Sequence, residues 1–397
     1  MTSLRKETVM KKILIVNNNM HIGGVQKALL SLLCALEGKY DITLLLFFSE
    51  GAYCKEIPES VKVISANSDF CYLGMTKHDC KGHIFRKIKR SFYAAISRIF
   101  KRKAAISIMS WGQKKIRGYD VAISYLHNGS DTAFYGGCNE FVQRHVEAQT
   151  KIAFLHCDYE KCGSNTADNA AQYAKFDRIA ACSDGCKAAF LKALPNLRDK
   201  VITVKNCHDF SLIASLAAAE PAILSKEHIN LLTVARLGRE KGVLRAIHAL
   251  AKMGDLKAYI RYYIVGDGEQ REALLSLIQE YGLSEMVVYL GERTNPYGYM
   301  KAADLLLIPS YSEAAPLVID EAASLGTPIL TTETSSAKDM VEATGLGWVC
   351  ENSVEGIASG LVQVLSDVDS LREKKRMLLE KEHDNEVALE QFSTLLQ

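Results

Sequence analysis

Leu231-Leu232-Thr233-Val234-Ala235-Arg236-Leu237-Gly238-Arg239-Glu240-Lys241-Gly242 decides the fold. Four strand residues, three of them apolar, run into a polar loop closed by glycine, and an apolar-periodic helix, Val243–Met253, follows. This opening of a βα unit lies past the middle of a chain of 397 residues. Downstream the alternation continues with strand Tyr259–Val265, which stops at Gly266-Asp267-Gly268, and helix Glu269–Tyr281. Strand Val287–Leu290, a short helix near Tyr297–Ala302, strand Leu305–Ile308, helix Pro316–Leu325 and strand Pro328–Leu330 complete it. Upstream the same grammar begins at strand Lys12–Asn17, followed by a loop from Asn18 to Ile22, then Gly23-Gly24 and a helix through Leu36. Further strands are expected at Ile42–Phe47, Val61–Ile64, Val121–Tyr125, Ile152–Leu155, Ile179–Cys182 and Val201–Val204. Continuous apolar strands alternating with helices predict parallel, doubly wound sheets.

Because the pattern starts twice, the expected fold is α/β with two Rossmann-like domains facing each other across a cleft, ligand at the carboxyl ends of the strands. The periodicity breaks between Asn206 and Lys226, where Pro221 and an alanine-rich stretch intervene. The expected division is residues 1–205, residues 206–375, and a charged C-terminal helix, 376–397, packing back on the first domain.

Composition narrows the class. An apolar fraction of 48% with 24% charged residues fits an ordinary globular protein, and no apolar run reaches the roughly 20 residues of a membrane span. The N-terminus is polar at Arg5, Lys6 and Glu7 and lacks the apolar core of a signal peptide. Eleven cysteines without a CxxC pair or disulfide framework are read as reduced thiols, hence a cytoplasmic protein. The net charge of +2 hides an asymmetry. Residues 1–205 carry 31 Lys and Arg against 18 Asp and Glu, whereas the remainder carries 17 against 28. Two halves of opposite sign are expected to face different partners, one of them anionic; plain solvated surface is the alternative.

Two constellations carry chemistry. Glu313 and Glu321 flank Ala314-Ala315-Pro316-Leu317-Val318-Ile319-Asp320, after strand Leu305–Ile308. Pro316 suits the first turn of a helix, which leaves Glu313 in the loop and Glu321 inside the helix. The N–H groups of Leu317 and Val318 between them could hold a phosphate oxygen. On spacing alone, Glu313 could equally precede the helix idly while Glu321 faces solvent. Arg236 and Lys241 follow the first strand of the second half, where two cations can neutralise a diphosphate. Taken alone they would read as ordinary surface cations.

Together these segments resemble the large family of retaining glycosyltransferases with a Glu-x7-Glu motif and the GT-B fold, which includes transferases of capsular and surface polysaccharides. The family pattern Gly-Arg-Leu-x-x-Glu-Lys-Gly, Gly-Asp-Gly, Glu-x7-Glu reads here Ala235-Arg236-Leu237-x-x-Glu240-Lys241-Gly242, Gly266-Asp267-Gly268 and Glu313…Glu321. Order and spacing agree over about residues 230–350, and Gly326-Thr327-Pro328 fits the family's tight turn; the first half matches more weakly, through Gly23-Gly24. The resemblance implies that Arg236 and Lys241 bind the donor pyrophosphate, Glu321 the ribose hydroxyls and Glu313 the transferred sugar. It implies further that backbone from Ala315 and Pro316 to Leu317 and Val318, with Gly266, lines the donor pocket. Gly23 and Gly24 would approach the diphosphate, and Gly291-Glu292-Arg293-Thr294 would meet the base, with Arg293 and Thr294 at the contact. His156, ending strand Ile152–Leu155, would stand near the donor sugar, with a structural histidine as the alternative. Asn206 matches the family's Asn-x-x-Asp segment, completed by Asp209, and would line the cleft, with an interdomain turn as the alternative. One departure is Ala314, where the family has glycine, and it puts the donor sugar in doubt.

The implied activity is that of a retaining hexosyltransferase, free of metal and cofactor, using a nucleoside diphosphate sugar, with UDP favoured. Its acceptor would be a glycan hydroxyl, lipid-linked, in surface polysaccharide synthesis. His156, Cys157, Cys162, Cys182 and Cys186 lack metal-ligand spacing, so no metal site is expected. The stretch Lys81–Lys103 holds nine Lys and Arg and no acid, with Ile84, Ile88, Phe92, Ala95 and Ile99 at helical spacing. That is the form of a helix lying on the anionic inner face of a membrane; a core-packed helix with solvated lysines is the alternative. Nucleic acid is not expected, for no recognition motif accompanies the charge. Rival readings are a sugar-nucleotide 2-epimerase of similar plan and a non-catalytic glycan- or lipid-binding protein. A dinucleotide oxidoreductase is disfavoured, because the first loop is not GxGxxG.

Overall fold

The computed structural model describes residues 10–397, so Arg5, Lys6 and Glu7 lie outside the described residues. The chain divides into two compact units. The first holds the residues up to Cys182, then Cys186–Cys207 and Glu386–Gln397; the second holds Ser183–Gly185 and His208–Asn385.

In the first unit the strands are β1 (Lys12–Asn17), β2 (Asp41–Leu46), β3 (Lys62–Ser65), β4 (Ile116–Ser124), β5 (Val146–Leu155), β6 (Arg178–Ala181) and β7 (Val201–Thr203). They form one sheet in the order β3-β2-β1-β4-β5-β6-β7, parallel throughout. In β1, β2 and β6 the apolar runs are buried at nearly every position, as expected where helices cover both faces, whereas the edge strand β3 is largely exposed. The second unit holds β8 (Ile229–Val234), β9 (Ile260–Val265), β10 (Val287–Gly291), β11 (Leu305–Ile308), β12 (Ile329–Thr332) and β13 (Gly347–Cys350). Their order is β10-β9-β8-β11-β12-β13, again all parallel. Helices Val243–Ala251, Arg271–Glu280 and Val354–Leu365 bury one face of this sheet; Phe210–Ala219, Tyr297–Ala302 and Val318–Ser324 bury the other.

Three features depart from the sequence reading. β4 and β5 begin well before the expected Val121 and Ile152, because their first halves are polar and half exposed, which leaves no apolar run to mark them. The alanine-rich stretch expected as an interruption is helix Phe210–Ala219, capped by the Asp209 carboxylate, which accepts from Leu212 N at 2.9 Å. Ile213 and Ala217 bury it against Tyr297 and Met300, so it belongs wholly to the second unit. The tail expected as one helix over 376–397 is two. Val368–Glu380 stays with the second unit, and Glu386–Leu395 lies on the first, Phe392 joining Ile13, Leu33 and Leu44 in its core.

Candidate active site

In the second sheet β8 has β9 on one side and β11 on the other, so the helices leave it toward opposite faces. Loops leaving the carboxyl ends of two such strands splay apart and open a crevice. The β8 loop carries Lys241 and the β11 loop carries Glu313, and their side chains meet: Lys241 Nζ is 2.8 Å from Glu313 Oε1. Ser310 Oγ donates to the same carboxylate oxygen at 2.7 Å. The pair is mostly shielded, at 27% and 10% side-chain exposure, so its attraction is far less screened than a surface pair's.

Glycines let these loops approach. Gly242 has φ 64°, and a Cβ there would fall 2.1 Å from Pro309 O. Gly266, at φ 134°, would bring a Cβ to 1.9 Å from Ala235 O. Ala235 N donates to Val265 O at 3.0 Å, Leu237 N to Asp267 O at 2.9 Å, and Tyr311 N to Glu240 O at 2.9 Å. Gly266 therefore sits in the frame of the site, where it sets the spacing of the β8 and β9 loops.

Arg245 escaped the sequence reading. It lies buried in helix Val243–Ala251, one turn past Lys241. Its Nε donates to Pro309 O at 2.6 Å and its Nη2 to Ser310 O at 2.6 Å. The guanidinium also lies 3.9 Å from the ring centre of Tyr311. Thr332 Oγ1 donates to Ser310 O as well, at 2.5 Å. A buried cation with carbonyl partners thus fixes the backbone just ahead of Glu313. The signal was present: a lone arginine within Val243-Leu244-Arg245-Ala246-Ile247 is costly to bury unless it is employed.

The remaining expected residues are less uniform. Arg236 turns to Glu240 in an exposed ion pair and not to Glu313, so in this state it is not part of the buried pair. Glu321 is 2% exposed, inside helix Val318–Ser324, which excludes the solvent-facing alternative. Pro316 and Leu317 precede that helix, and Glu321 N donates to Leu317 O at 3.1 Å. Ala315 and Val318 are partly buried beside it, and Ala314 is buried. Arg293 and Thr294 follow β10 in an exposed loop. Asn206 lies half-buried after β7, but Asp209 of the same segment serves as a helix cap.

In the first unit, Gly24 opens helix Gly24–Ala35 after β1. A Cβ at Gly24 would meet no protein atom, and one at Gly23 would meet only the flexible Gln26 amide, at 2.6 Å. Internal crowding therefore does not require glycine at Gly24. The loop before it is fixed by Asn19, whose Nδ2 donates to Gly74 O at 2.6 Å and whose Oδ1 accepts from Gln26 at 3.1 Å. His156 stands at the end of β5, between Tyr125 and Phe154, with ring centres at 4.6 and 5.5 Å. Burial, with the neighbouring His127 adding to it, pushes its pKa down to about 3, so the ring is neutral at ordinary pH. Its Nε2 is enclosed without a hydrogen-bond partner. Among the described residues, no three His, Cys, Asp or Glu side chains are grouped to hold a metal ion, and all eleven cysteines are free thiols.

With this geometry in place, residues 219–381 match the family described as glycosyl transferases group 1. The chain is 32% identical over 184 residues to a protein of Escherichia coli K12 named as a putative colanic acid biosynthesis glycosyltransferase, WcaL, covering 43% of this chain and 45% of that one. It is 28% identical over 202 residues to the N-acetylgalactosamine-N,N'-diacetylbacillosaminyl-diphospho-undecaprenol 4-alpha-N-acetylgalactosaminyltransferase of Campylobacter jejuni, covering 50% and 53%. The match to WcaL thus spans less than half of that relative's length. The solved structure of Anabaena Alr3699/HepE in complex with UDP shares the fold, with a TM-score of 0.66 at 18% identity over 97% of this chain and 99% of that one. The architecture is that of the GT-B fold, and residues 219–381 of the second unit, which include the Lys241–Glu313 pair, are similar to the glycosyl transferases of group 1.

Proposed function

We propose that the chain transfers a hexosyl unit from a nucleoside diphosphate sugar, a UDP-sugar by preference, to a hydroxyl of a glycan acceptor. The observation that carries this reading is the enclosed Lys241–Glu313 pair at the switch point of the second sheet. Glu313 would accept hydrogen bonds from hydroxyls of the transferred sugar. Lys241, freed from the carboxylate by the incoming donor, would neutralise the diphosphate as it leaves. Arg236, held only in an exposed ion pair, would swing from Glu240 onto the same diphosphate. Glu321 would hold the ribose, with backbone from Ala315 to Val318 around the sugar and phosphate, and Arg293 and Thr294 near the base. By resemblance to the family, Gly23 and Gly24 would approach the diphosphate. His156 would serve as a neutral donor or acceptor near the sugar, since its ring takes up no proton at ordinary pH.

The reaction is read as retaining and independent of metal, with protein cations in place of Mg²⁺, by resemblance to the family. The UDP-bound neighbour and the relatives' names support a nucleotide-sugar donor and a role in surface polysaccharide synthesis. The undecaprenol named for the Campylobacter relative supports a lipid-linked acceptor. The test is transfer from a panel of radiolabelled UDP-, GDP- and ADP-sugars to an extract of lipid-linked glycans. Labelled product whose yield collapses in Lys241→Ala, with the anomeric configuration of the donor by NMR, is expected. Conversion of the donor with no acceptor would instead mark an epimerase, and near-normal transfer by Lys241→Ala would sink the assignment.

A further inference from the structure

Just past β5 the first unit turns back on itself within a few residues. Cys162 N donates to Asp158 O at 2.9 Å, Lys161 N to Asp158 Oδ1 at 3.1 Å, and Gly163 N to Glu160 O at 3.3 Å. Gly163, at φ 73°, completes the reversal in a conformation that glycine adopts without strain. The two cysteines that bracket this turn, Cys157 and Cys162, are thereby brought together beside Ser164. Ser164 Oγ lies 2.9 Å from Cys162 Sγ and 3.8 Å from Cys157 Sγ, and it donates to Asn128 O at 2.5 Å. The Cys157 thiol also hydrogen-bonds to the sulfur of Cys162.

The two sulfurs differ in kind. Cys157 is buried, whereas Cys162 is an exposed residue. The hydrogen bond from the Cys157 thiol lowers the Cys162 pKa to about 7, with Ser164 adding to the effect and partial burial opposing it. Burial pushes the Cys157 thiol the other way, well above its ordinary value. At neutral pH one sulfur is therefore partly thiolate while its neighbour keeps its proton. Cys186 lies close by, its Sγ donating to Cys157 O at 3.2 Å, but Cys182 and Cys186 are both buried. A buried cysteine is accounted for as a small packing residue. An exposed one held against a second thiol is not.

We propose that Cys162 is a peroxide-reactive modification site, with Cys157 as the thiol that resolves it into a Cys157–Cys162 disulfide. The Cys162 thiolate attacks hydrogen peroxide: an S–O bond forms, the O–O bond breaks, and two electrons pass from sulfur to oxygen. The departing hydroxide takes a proton from solvent and leaves a sulfenic acid on Cys162. The Cys157 sulfur then attacks that sulfur. The S–S bond forms, the S–O bond breaks, and the hydroxide leaves with the Cys157 proton as water. Two thiols and one peroxide give one disulfide and two waters. The bridge closes a ring over residues 157–162, directly after His156. The site is independent of the donor chemistry and is tested without any transfer assay.

For the test, the full chain is reduced with dithiothreitol, freed of it, treated with hydrogen peroxide, alkylated and digested with trypsin. Cleavage after Lys161 separates the two cysteines, so the bridge appears in mass spectra as a pair of linked peptides that dithiothreitol parts. At neutral pH, oxidation at Cys162 should outpace that at the exposed Cys34 by at least about threefold, the gain in thiolate outweighing the loss in nucleophilicity. In Cys157→Ser a dimedone adduct at Cys162 should replace the bridge. In Cys162→Ser, an exposed change that leaves the core intact, Cys157 should stay reduced. Oxidation of Cys162 no faster than that of Cys34 would overturn the proposal. So would a bridge from Cys162 to any other cysteine, within or between chains, or oxidation of Cys157 undiminished by Cys162→Ser.

Discussion

At the scale of single residues, the site depends on groups whose partners are backbone as much as side chain. Replacing Arg245 with Met leaves Pro309 O without its donor, whereas Ser310 O keeps Thr332. The expected loss is about 2 kcal/mol of stability, with faster hydrogen exchange in residues 309–313; an unchanged urea midpoint would contradict it. His127 and His156 make a second prediction. Burial lowers them to about 4 and about 3, whereas in the unfolded chain they take up protons near 6.5. Between those values the unfolded state binds protons that the folded state does not, so stability falls as pH drops from 6.5 toward 4. His156→Gln should flatten that decline in urea midpoints measured at several pH values, and an identical pH dependence would refute the cause. Lys241, Glu313 and Glu321 were legible as residues because their spacing is linear. Arg245 and the turn of Arg236 to Glu240 were not, because both depend on what the loops approach in three dimensions.

At the scale of elements, strands and helices were legible wherever apolar residues ran continuously, as in β1, β2 and β11. They were not legible where the strand was half exposed, as at the start of β5, or where an alanine-rich helix lacked contrast between faces, as at Phe210–Ala219. The glycines divide by the same logic. Gly266→Ala pushes a Cβ to 1.9 Å from Ala235 O at φ 134°, so it should cost at least about 2 kcal/mol and pull the β8 and β9 loops apart. Gly24→Ala meets no protein atom and should leave stability within about 0.5 kcal/mol. If the donor diphosphate approaches there, the same Gly24→Ala change should weaken donor binding; equal stability losses in the two variants would overturn the distinction.

At the scale of the molecule, two sheets built on one plan are joined by a chain that, apart from the brief excursion at Ser183–Gly185, passes from the first unit to the second at residue 208 and returns at residue 386. The return was legible in the charged helical tail, but its exact start was not, since a break at residues 381–385 carries no apolar signal. Phe392 is fully buried in the first unit, so Phe392→Ala should destabilise that unit by about 3–5 kcal/mol, read from the urea transition; a loss under 1 kcal/mol would show the helix to be dispensable. The central claim is that the second unit holds a nucleoside diphosphate sugar through Lys241. Calorimetric titration of the chain and of Lys241→Ala with UDP-, GDP- and ADP-sugars tests it most directly. The account predicts saturable binding of a UDP-sugar at one site, weakened about 10- to 100-fold by Lys241→Ala. Absence of binding to every nucleotide sugar, or equal affinity in the variant, would contradict it.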